Sequence, residues 1–237
     1  GGLILMRSLP DSPYVSILKD LDQESLKHLS IRHYKPKGTI VSVYSLSDMN
    51  LFLLLDGLCV VTSVGLSSDL WCSTPYYVMP GEFFGLSELI SPTPMKRQAA
   101  ITAKTPVTLL SIDGREFLRW QTARPKLYNT IICQIIQKHY MNRDMLTHFS
   151  SSASDAAGAQ YLSYLYKIYK KACHDPGYTG PVRIWETHQE IGTAIVKNVR
   201  SVDRMISSFK KEGLVSVSRG KLYIDADQAK RLSVYGL

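Results

Sequence analysis

Two arginines one helical turn apart, Arg200 and Arg204, carry the strongest chemical signal in the chain. A guanidinium fork matches guanine O6 and N7 in a major groove when it projects from the N-terminal half of an inserted helix. The segment THQEIGTAIVKNVRSVDRMISSFKKEGLVSVSRGKLYI supplies that setting. Thr187 is an expected helix N-cap, and Glu190, three residues on, completes a capping box. Ile191, Ile195, Val202 and Ile206 make an inward face, and the small Gly192 lets two helices cross closely. Asn198 caps a second helix, read as 198–209. Its outward face holds Val199, Arg200, Asp203 and Arg204. Arg200 and Arg204 are the expected base readers, with Val199 against a thymine methyl group. Thr187, Gln189, Asn198 and Ser201 sit around the helix starts, where donors meet phosphate oxygens. Arg219-Gly220 reads as a hairpin tip between VSVS and KLYI, a wing that brings Ser218, Arg219 and Lys221 to the DNA backbone. Asp203 fits least well: phosphates repel a carboxylate unless it orients an arginine or accepts from cytosine N4.

These groups need a frame, and 237 residues are enough for two domains with their own cores. Lys and Arg outnumber Asp and Glu by 28 to 20, a net charge of +8, which favours a polyanionic partner. Cys59, Cys72, Cys133 and Cys173 are scattered, with no CxxC pair, so neither a zinc site nor a cysteine-held cluster has the spacing it needs. Oxidation at Cys133 is the one redox alternative. No apolar run is long enough to span a membrane, and the N-terminal GGLILM lacks the features of a secretory signal, so a cytoplasmic protein without membrane contact is expected. A metal-dependent β-barrel enzyme would ligate through an H-x-H pair. The stretch from Ile40 to Ile112 contains no histidine, and no enzymatic role is expected.

Residues 15–35 read as a short helical lead-in, with apolar residues at mixed spacings of three and four. From Tyr34 to Ile112 the chain breaks into short β-branched and aromatic runs separated by turns, the pattern of a β-sandwich or barrel. Asp56-Gly57 is the strongest hairpin signal, and Pro80-Gly81 marks another turn. After Pro125 comes a long helix. Tyr128, Ile132, Ile135, His139, Asn142, Leu146 and Phe149 recur along it at the four-and-three spacing of a coiled-coil seam, and the alternative is a helix packed on its own domain. SSSASDAAG reads as a hinge or helix boundary, Gln160–Ala172 as an amphipathic helix, and CHDPGYTGP as a loop.

Taken together, THQEIG with its arginine-bearing second helix, PKGTIVS, LFLLLDGLCVV and PGEFFGLSELI resemble the Crp/Fnr family of bacterial transcription regulators, over nearly the whole chain. The resemblance implies an α+β fold: an N-terminal double-stranded β-helix, a jelly-roll of the cyclic-nucleotide-binding type, over 1–124. A long dimerisation helix and hinge over 125–152 and a winged helix-turn-helix over 153–237 would follow. It implies a homodimer on a near-palindromic double-stranded operator, with RNA polymerase as a further partner. In members that bind cyclic AMP, a glutamate follows the second glycine of the phosphate cassette, and an Arg-Ser/Thr-Ala triplet holds the phosphate. Here Leu86 follows Gly85, and the triplet is Arg97-Gln98-Ala99. The ribose acceptor is missing, although Glu88 lies two residues on, so the expected effector is a small molecule other than cyclic AMP. Gly85, Leu86, Glu88, Arg97 and Gln98 would line its pocket, with His139 and Tyr140 facing it from the long helix; for Arg97 the alternative is a surface position at a strand edge. A ligand-independent regulator is the alternative, and no cofactor is implied with certainty. The family also places glycine between the two helices where this chain has Val196, which puts the docking angle in question.

Overall fold

The computed structural model describes residues 18, 21–44, 49–63, 76–91, 96–97, 99–150 and 155–235, excepting the side chains of 139 and 142–150. These residues form two compact units, one reaching to Met141 and one starting at Asn142.

In the first unit the lead-in is mostly strand. The helix α1 (Gln23–Leu26) is one turn long, capped by Asp22, and β1 (Leu29–Tyr34) follows at once. A ladder to a distant strand overrides the mixed local spacing, since Leu29 pairs with Ile112 and Tyr34 with Val107. The remaining strands are β2 (Thr39–Val41), β3 (Asn50–Asp56), β4 (Cys59–Ser63), β5 (Tyr76–Val78), β6 (Phe83–Phe84), β7 (Ala99–Ala103) and β8 (Val107–Asp113). They form two antiparallel sheets in the orders β1-β8-β3-β6 and β2-β7-β4-β5.

Strand β3 explains the layering. Its alternate residues enter different cores: Phe52 and Leu54 pack with Ile40, Val61, Val78 and Ile101 of the second sheet. Leu51, Leu53 and Leu55 join Phe117, Trp120, Leu127 and Ile131 from the helices α2 (Gly114–Ala123) and α3 (Pro125–Ser150). A strand buried on both faces reads as an unbroken apolar run, as NLFLLLD does. Within helix α2, Glu116 is buried and accepts from Trp120 Nε1 at 2.7 Å and Arg119 Nη2 at 2.8 Å.

Asp56-Gly57 does not close a hairpin. Strand β3 pairs with β6 and β8, whereas β4 pairs with β5 and β7, so the turn carries the chain from one sheet to the other. The crossover is held from elsewhere in sequence, where Thr105 Oγ1 accepts from Leu58 N at 2.9 Å. Gly57 has φ +87°, and a Cβ there would lie 2.1 Å from the Pro106 carbonyl oxygen. The site therefore demands glycine for closeness as well as for backbone angle.

The second unit opens with α4 (Asp155–Cys173), which starts five residues earlier than the periodicity suggests and takes DAAG into the helix. Then follow β9 (Val182–Ile184), α5 (His188–Ala194), α6 (Val199–Lys211), β10 (Ser216–Ser218), β11 (Lys221–Ile224) and α7 (Ala226–Ser233). The strands pair antiparallel in the order β10-β11-β9. Tyr161, Leu162, Leu165 and Tyr169 of α4 are buried, as are Ile191 of α5 and Val202, Met205 and Phe209 of α6. Four helices and a three-stranded wing sheet around one core form a winged helix-turn-helix.

Candidate nucleic-acid interface

Both helices of the turn carry the expected caps. Thr187 Oγ1 accepts from Glu190 N at 3.2 Å while Glu190 Oε2 accepts from Thr187 N at 2.7 Å, the reciprocal capping box. Asn198 Oδ1 accepts from Ser201 N at 2.9 Å and starts α6, which ends at Lys211, two residues beyond the expected 209. Gly192 is set by the crossing: a Cβ there would stand 2.4 Å from the Lys197 carbonyl oxygen. Lys197 N in turn donates to Gly192 O at 2.8 Å, and Lys197 Nζ reaches Asp155 Oδ1 at 2.7 Å.

Val196 adopts φ +55° and is 61% exposed. It takes the left-handed conformation that glycine takes without strain, so the turn keeps its positive-φ form on a β-branched residue. The side chain points away from the core, which is what makes the strain tolerable.

On α6, Val202, Met205, Ile206 and Phe209 are buried, while Arg200, Asp203 and Arg204 are exposed and Val199 and Ser201 are half-buried. One face is fully committed to the core and the other to solvent. The wing forms as read. Ser218 pairs with Lys221 across Arg219 (φ +50°) and Gly220 (φ +70°), the double positive φ of a tight hairpin, and Ser218, Arg219 and Lys221 are exposed. Gln189 is exposed on the first turn of α5. Thus Arg200, Arg204, Gln189, Ser218, Arg219 and Lys221 all reach solvent, whereas the oxygens of Thr187 and Asn198 are engaged in caps.

A cleft of about 680 Å³ runs between the start of α5, α6 and the wing, with Arg183, His188, Asp203, Lys210 and Lys221 among its lining residues. Across it His188 Nδ1 bonds Oδ1 of Asp203. The sequence pointed to Asp203 but not to His188, which stands fifteen positions earlier and becomes its neighbour only through the helix crossing.

In the first unit the expected effector-pocket residues divide. Arg97 is buried, 2% exposed, and not a strand-edge surface residue. Its Nη1 donates to Gly85 O at 2.9 Å and to Glu88 Oε2 at 2.8 Å, and its Nη2 to Asn50 O at 3.0 Å. Gly85, Glu88 and Arg97 are thus brought together. Leu86 is buried in the apolar cluster that includes Leu89. Burial, with Glu88 and Glu82 nearby, pushes the Tyr76 phenol up to about 12. Gln98 and the His139 side chain lie outside the described residues, and Tyr140 is 55% exposed.

Sequence reasoning also missed what fastens α3 to the sheets. Gln134 is buried, accepts from Phe83 N at 2.9 Å and donates to Gly81 O at 2.7 Å, and Lys138 Nζ lies 2.8 Å from Glu82 Oε1. Along the same helix Tyr128, Ile132 and Ile135 are partly buried against their own unit's core, and the side chains of Asn142, Leu146 and Phe149 lie outside the described residues. Cys59 is buried, which raises its thiol to about 12, while Cys133 is exposed. Among the described residues no cluster of His, Cys, Asp and Glu could hold a metal, and no helix is long and apolar enough to cross a membrane.

No protein-family model matches the chain, and no curated protein matches it by sequence. Solved structures do match. A transcriptional regulator of the Crp/Fnr family from Eubacterium rectale superposes with a TM-score of 0.69 at 18% identity, over 94% of this chain and 99% of that one. A Crp/Fnr-family regulator from Thermus thermophilus gives 0.63 at 20% identity, over 86% and 98%. CLP, the c-di-GMP responsive global regulator of Xanthomonas campestris, gives 0.64 at 14% identity, over 86% and 100%. The chain has the fold of these Crp/Fnr regulators: β-roll, long helix and winged helix-turn-helix.

Proposed function

We propose that this chain is a DNA-binding transcription regulator of the Crp/Fnr type, a homodimer that reads a near-palindromic operator in the cytoplasm. The observation that carries the reading is the division of α6, with Val202, Met205, Ile206 and Phe209 inside and Arg200, Asp203 and Arg204 outside, beside a wing bearing Arg219 and Lys221. Arg200 and Arg204 contact guanine edges, and Val199 lies against a thymine methyl group. Gln189, Ser201, Ser218, Arg219 and Lys221 contact phosphates, as do Thr187 and Asn198 through whatever capacity their caps leave. Two such helices about 34 Å apart in a dimer meet successive major grooves. The output is binding, passed on to RNA polymerase, and no chemical step is involved.

Control is assigned to a small molecule other than cyclic AMP. Leu86 lies in the core where a ribose hydroxyl would need an acceptor, and leaving that hydroxyl unpaired costs about 1–3 kcal/mol. CLP of Xanthomonas campestris is a c-di-GMP responsive protein of the same fold, so an effector of another kind is compatible with the architecture. One observation favours the second reading, a regulator without a ligand: the Arg97 fork already grips Glu88, Gly85 and Asn50. Calorimetry against a metabolite panel that includes cyclic AMP separates the two readings. Saturable heat together with altered DNA affinity requires an effector.

The DNA reading is tested by selection from a pool of randomised duplexes. The chain enriches a two-fold symmetric motif. Arg204→Ala then loses preference at one base pair per half-site, worth about 1–3 kcal/mol of discrimination. Lys221→Ala weakens every sequence alike and lowers the salt slope by about 1. A chain that enriches no motif is not this kind of regulator.

A further inference from the structure

We infer that His188 positions Asp203 as a base-reading carboxylate, so that the chain selects a cytosine in each half-site. This deepens the DNA-binding reading above and rests on it. His188 is the first residue of α5, directly after the Thr187 cap, and its Nδ1 bonds Oδ1 of Asp203 on α6. A carboxylate only accepts, so Nδ1 carries the hydrogen and donates. Both side chains remain about half exposed, at 42% and 53%.

The other carboxylate oxygen, Oδ2, makes no hydrogen bond among the described residues. Asp203 stands on the outward face of α6 beside Arg204 and one turn beyond Arg200. There it can only take a hydrogen bond, and the major groove offers amino donors on adenine N6 and cytosine N4. Adenine sets its N7 acceptor beside the amino group, where a carboxylate is repelled. Cytosine sets a carbon-bound hydrogen there. The chemistry therefore selects cytosine.

A lone aspartate on a surface that meets phosphates opposes binding. His188 offsets that cost: its hydrogen bond engages Oδ1 and fixes the aspartate rotamer, leaving Oδ2 for a base amino group.

Other charged groups surround the histidine. Arg183 and Glu186 come from β9 and the segment after it, Glu190 from its own helix, Lys210 from α6, and Lys221 from the wing. Arg183 stacks over the Trp185 ring at 3.7 Å, Glu186 accepts from Tyr169 Oη at 2.8 Å, and Glu190 is held by the Thr187 cap. Asp203 is the carboxylate that takes the His188 hydrogen bond.

The test selects from randomised duplexes with wild type, Asp203→Ala, His188→Ala and His188→Asn, then measures affinity for the selected duplex and for the same duplex with that base pair changed. Asparagine places its Nδ2 where the histidine Nδ1 stands. Wild type prefers C·G at one position per half-site, and both alanine variants lose that preference about tenfold, the scale of one base contact. His188→Asn keeps the preference. If His188→Ala selects the same motif as wild type, or His188→Asn loses the preference, the pairing inference is overturned while DNA reading stands. If wild type enriches no motif, the DNA reading itself falls and this inference with it.

Discussion

The Arg97 guanidinium and the Glu88 carboxylate meet at 2.8 Å inside the first unit, 2% and 8% exposed. A buried pair gains little over a well-packed apolar substitute, but a single partner left behind is severely penalised. Glu88→Ala therefore lowers unfolding free energy by about 3 kcal/mol, while the double variant Glu88→Leu with Arg97→Met recovers most of that loss. Urea denaturation of the three proteins checks it. A Glu88→Ala protein as stable as wild type would show that the Gly85 and Asn50 carbonyls alone satisfy the arginine.

Val196 tells the opposite story, of strain kept rather than relieved. A β-branched residue at φ +55° costs about 1–2 kcal/mol over its usual conformations; glycine relieves that strain, and its greater freedom in the unfolded chain takes back part of the gain. Val196→Gly consequently raises the stability of the winged unit by about 1 kcal/mol. No core contact is lost, because the side chain is exposed. Thermal melts decide the matter, and an unchanged or lower midpoint refutes it.

Local chemistry was legible in the sequence, and long-range pairing was not. The Thr187–Glu190 box, the Asn198 cap and the Arg219-Gly220 wing tip each depend on residues no more than a few positions apart, so propensity and spacing suffice to find them. Asp56-Gly57 was misjudged for the complementary reason. The dipeptide specifies a turn, but whether the flanking strands pair depends on β5, β7 and β8 far along the chain. Arg97 reads either as a pocket residue or as a strand-edge surface residue because nothing local distinguishes them, and its bond to Glu88, nine residues earlier, is what holds it inside. His188 gave no signal, since its partner is brought to it by the α5–α6 crossing.

Acid acts on the buried Glu116 carboxyl of α2. Arg119 and Trp120 hold the Glu116 carboxyl down at about 2, with Arg119 the larger influence. A folded-state value below the unfolded one adds stability above the unfolded value and loses it as pH falls toward the folded one. That contribution is thus complete at neutral pH and drains away between about pH 5 and pH 2. Arg119 is half exposed, so screening trims the effect to about 2 kcal/mol. Glu116→Gln lowers stability at neutral pH and flattens this part of the acid profile, as denaturation at stepped pH will show. A variant with the wild-type acid profile contradicts the assignment.

The long helix offers the last test. Leu127, Ile131 and Gln134 face inward, and Tyr128, Ile132 and Ile135 sit half-buried on the same core. About a quarter of a turn further round, at helical spacing, Cys133, Ile136 and Tyr140 are exposed, with Ile136 at 49% and Tyr140 at 55%. Residues already committed to their own core have only an edge to offer a partner. A second copy of α3 in a dimer would therefore centre on Ile132 and Ile136, shifted toward solvent from the row Tyr128, Ile132, Ile135. Ile136→Lys places a charge in that seam without touching the core, and weakens dimerisation at least about tenfold, as expected for a desolvated charge. Sedimentation equilibrium reads the shift, and the melting profile of the β-roll stays in place. Tyr128→Ala acts the other way round, lowering β-roll stability more than dimer affinity. A wild-type chain that sediments as a monomer at every accessible concentration would refute the seam altogether. An Ile136→Lys protein that dimerises normally would instead return the seam to the half-buried row.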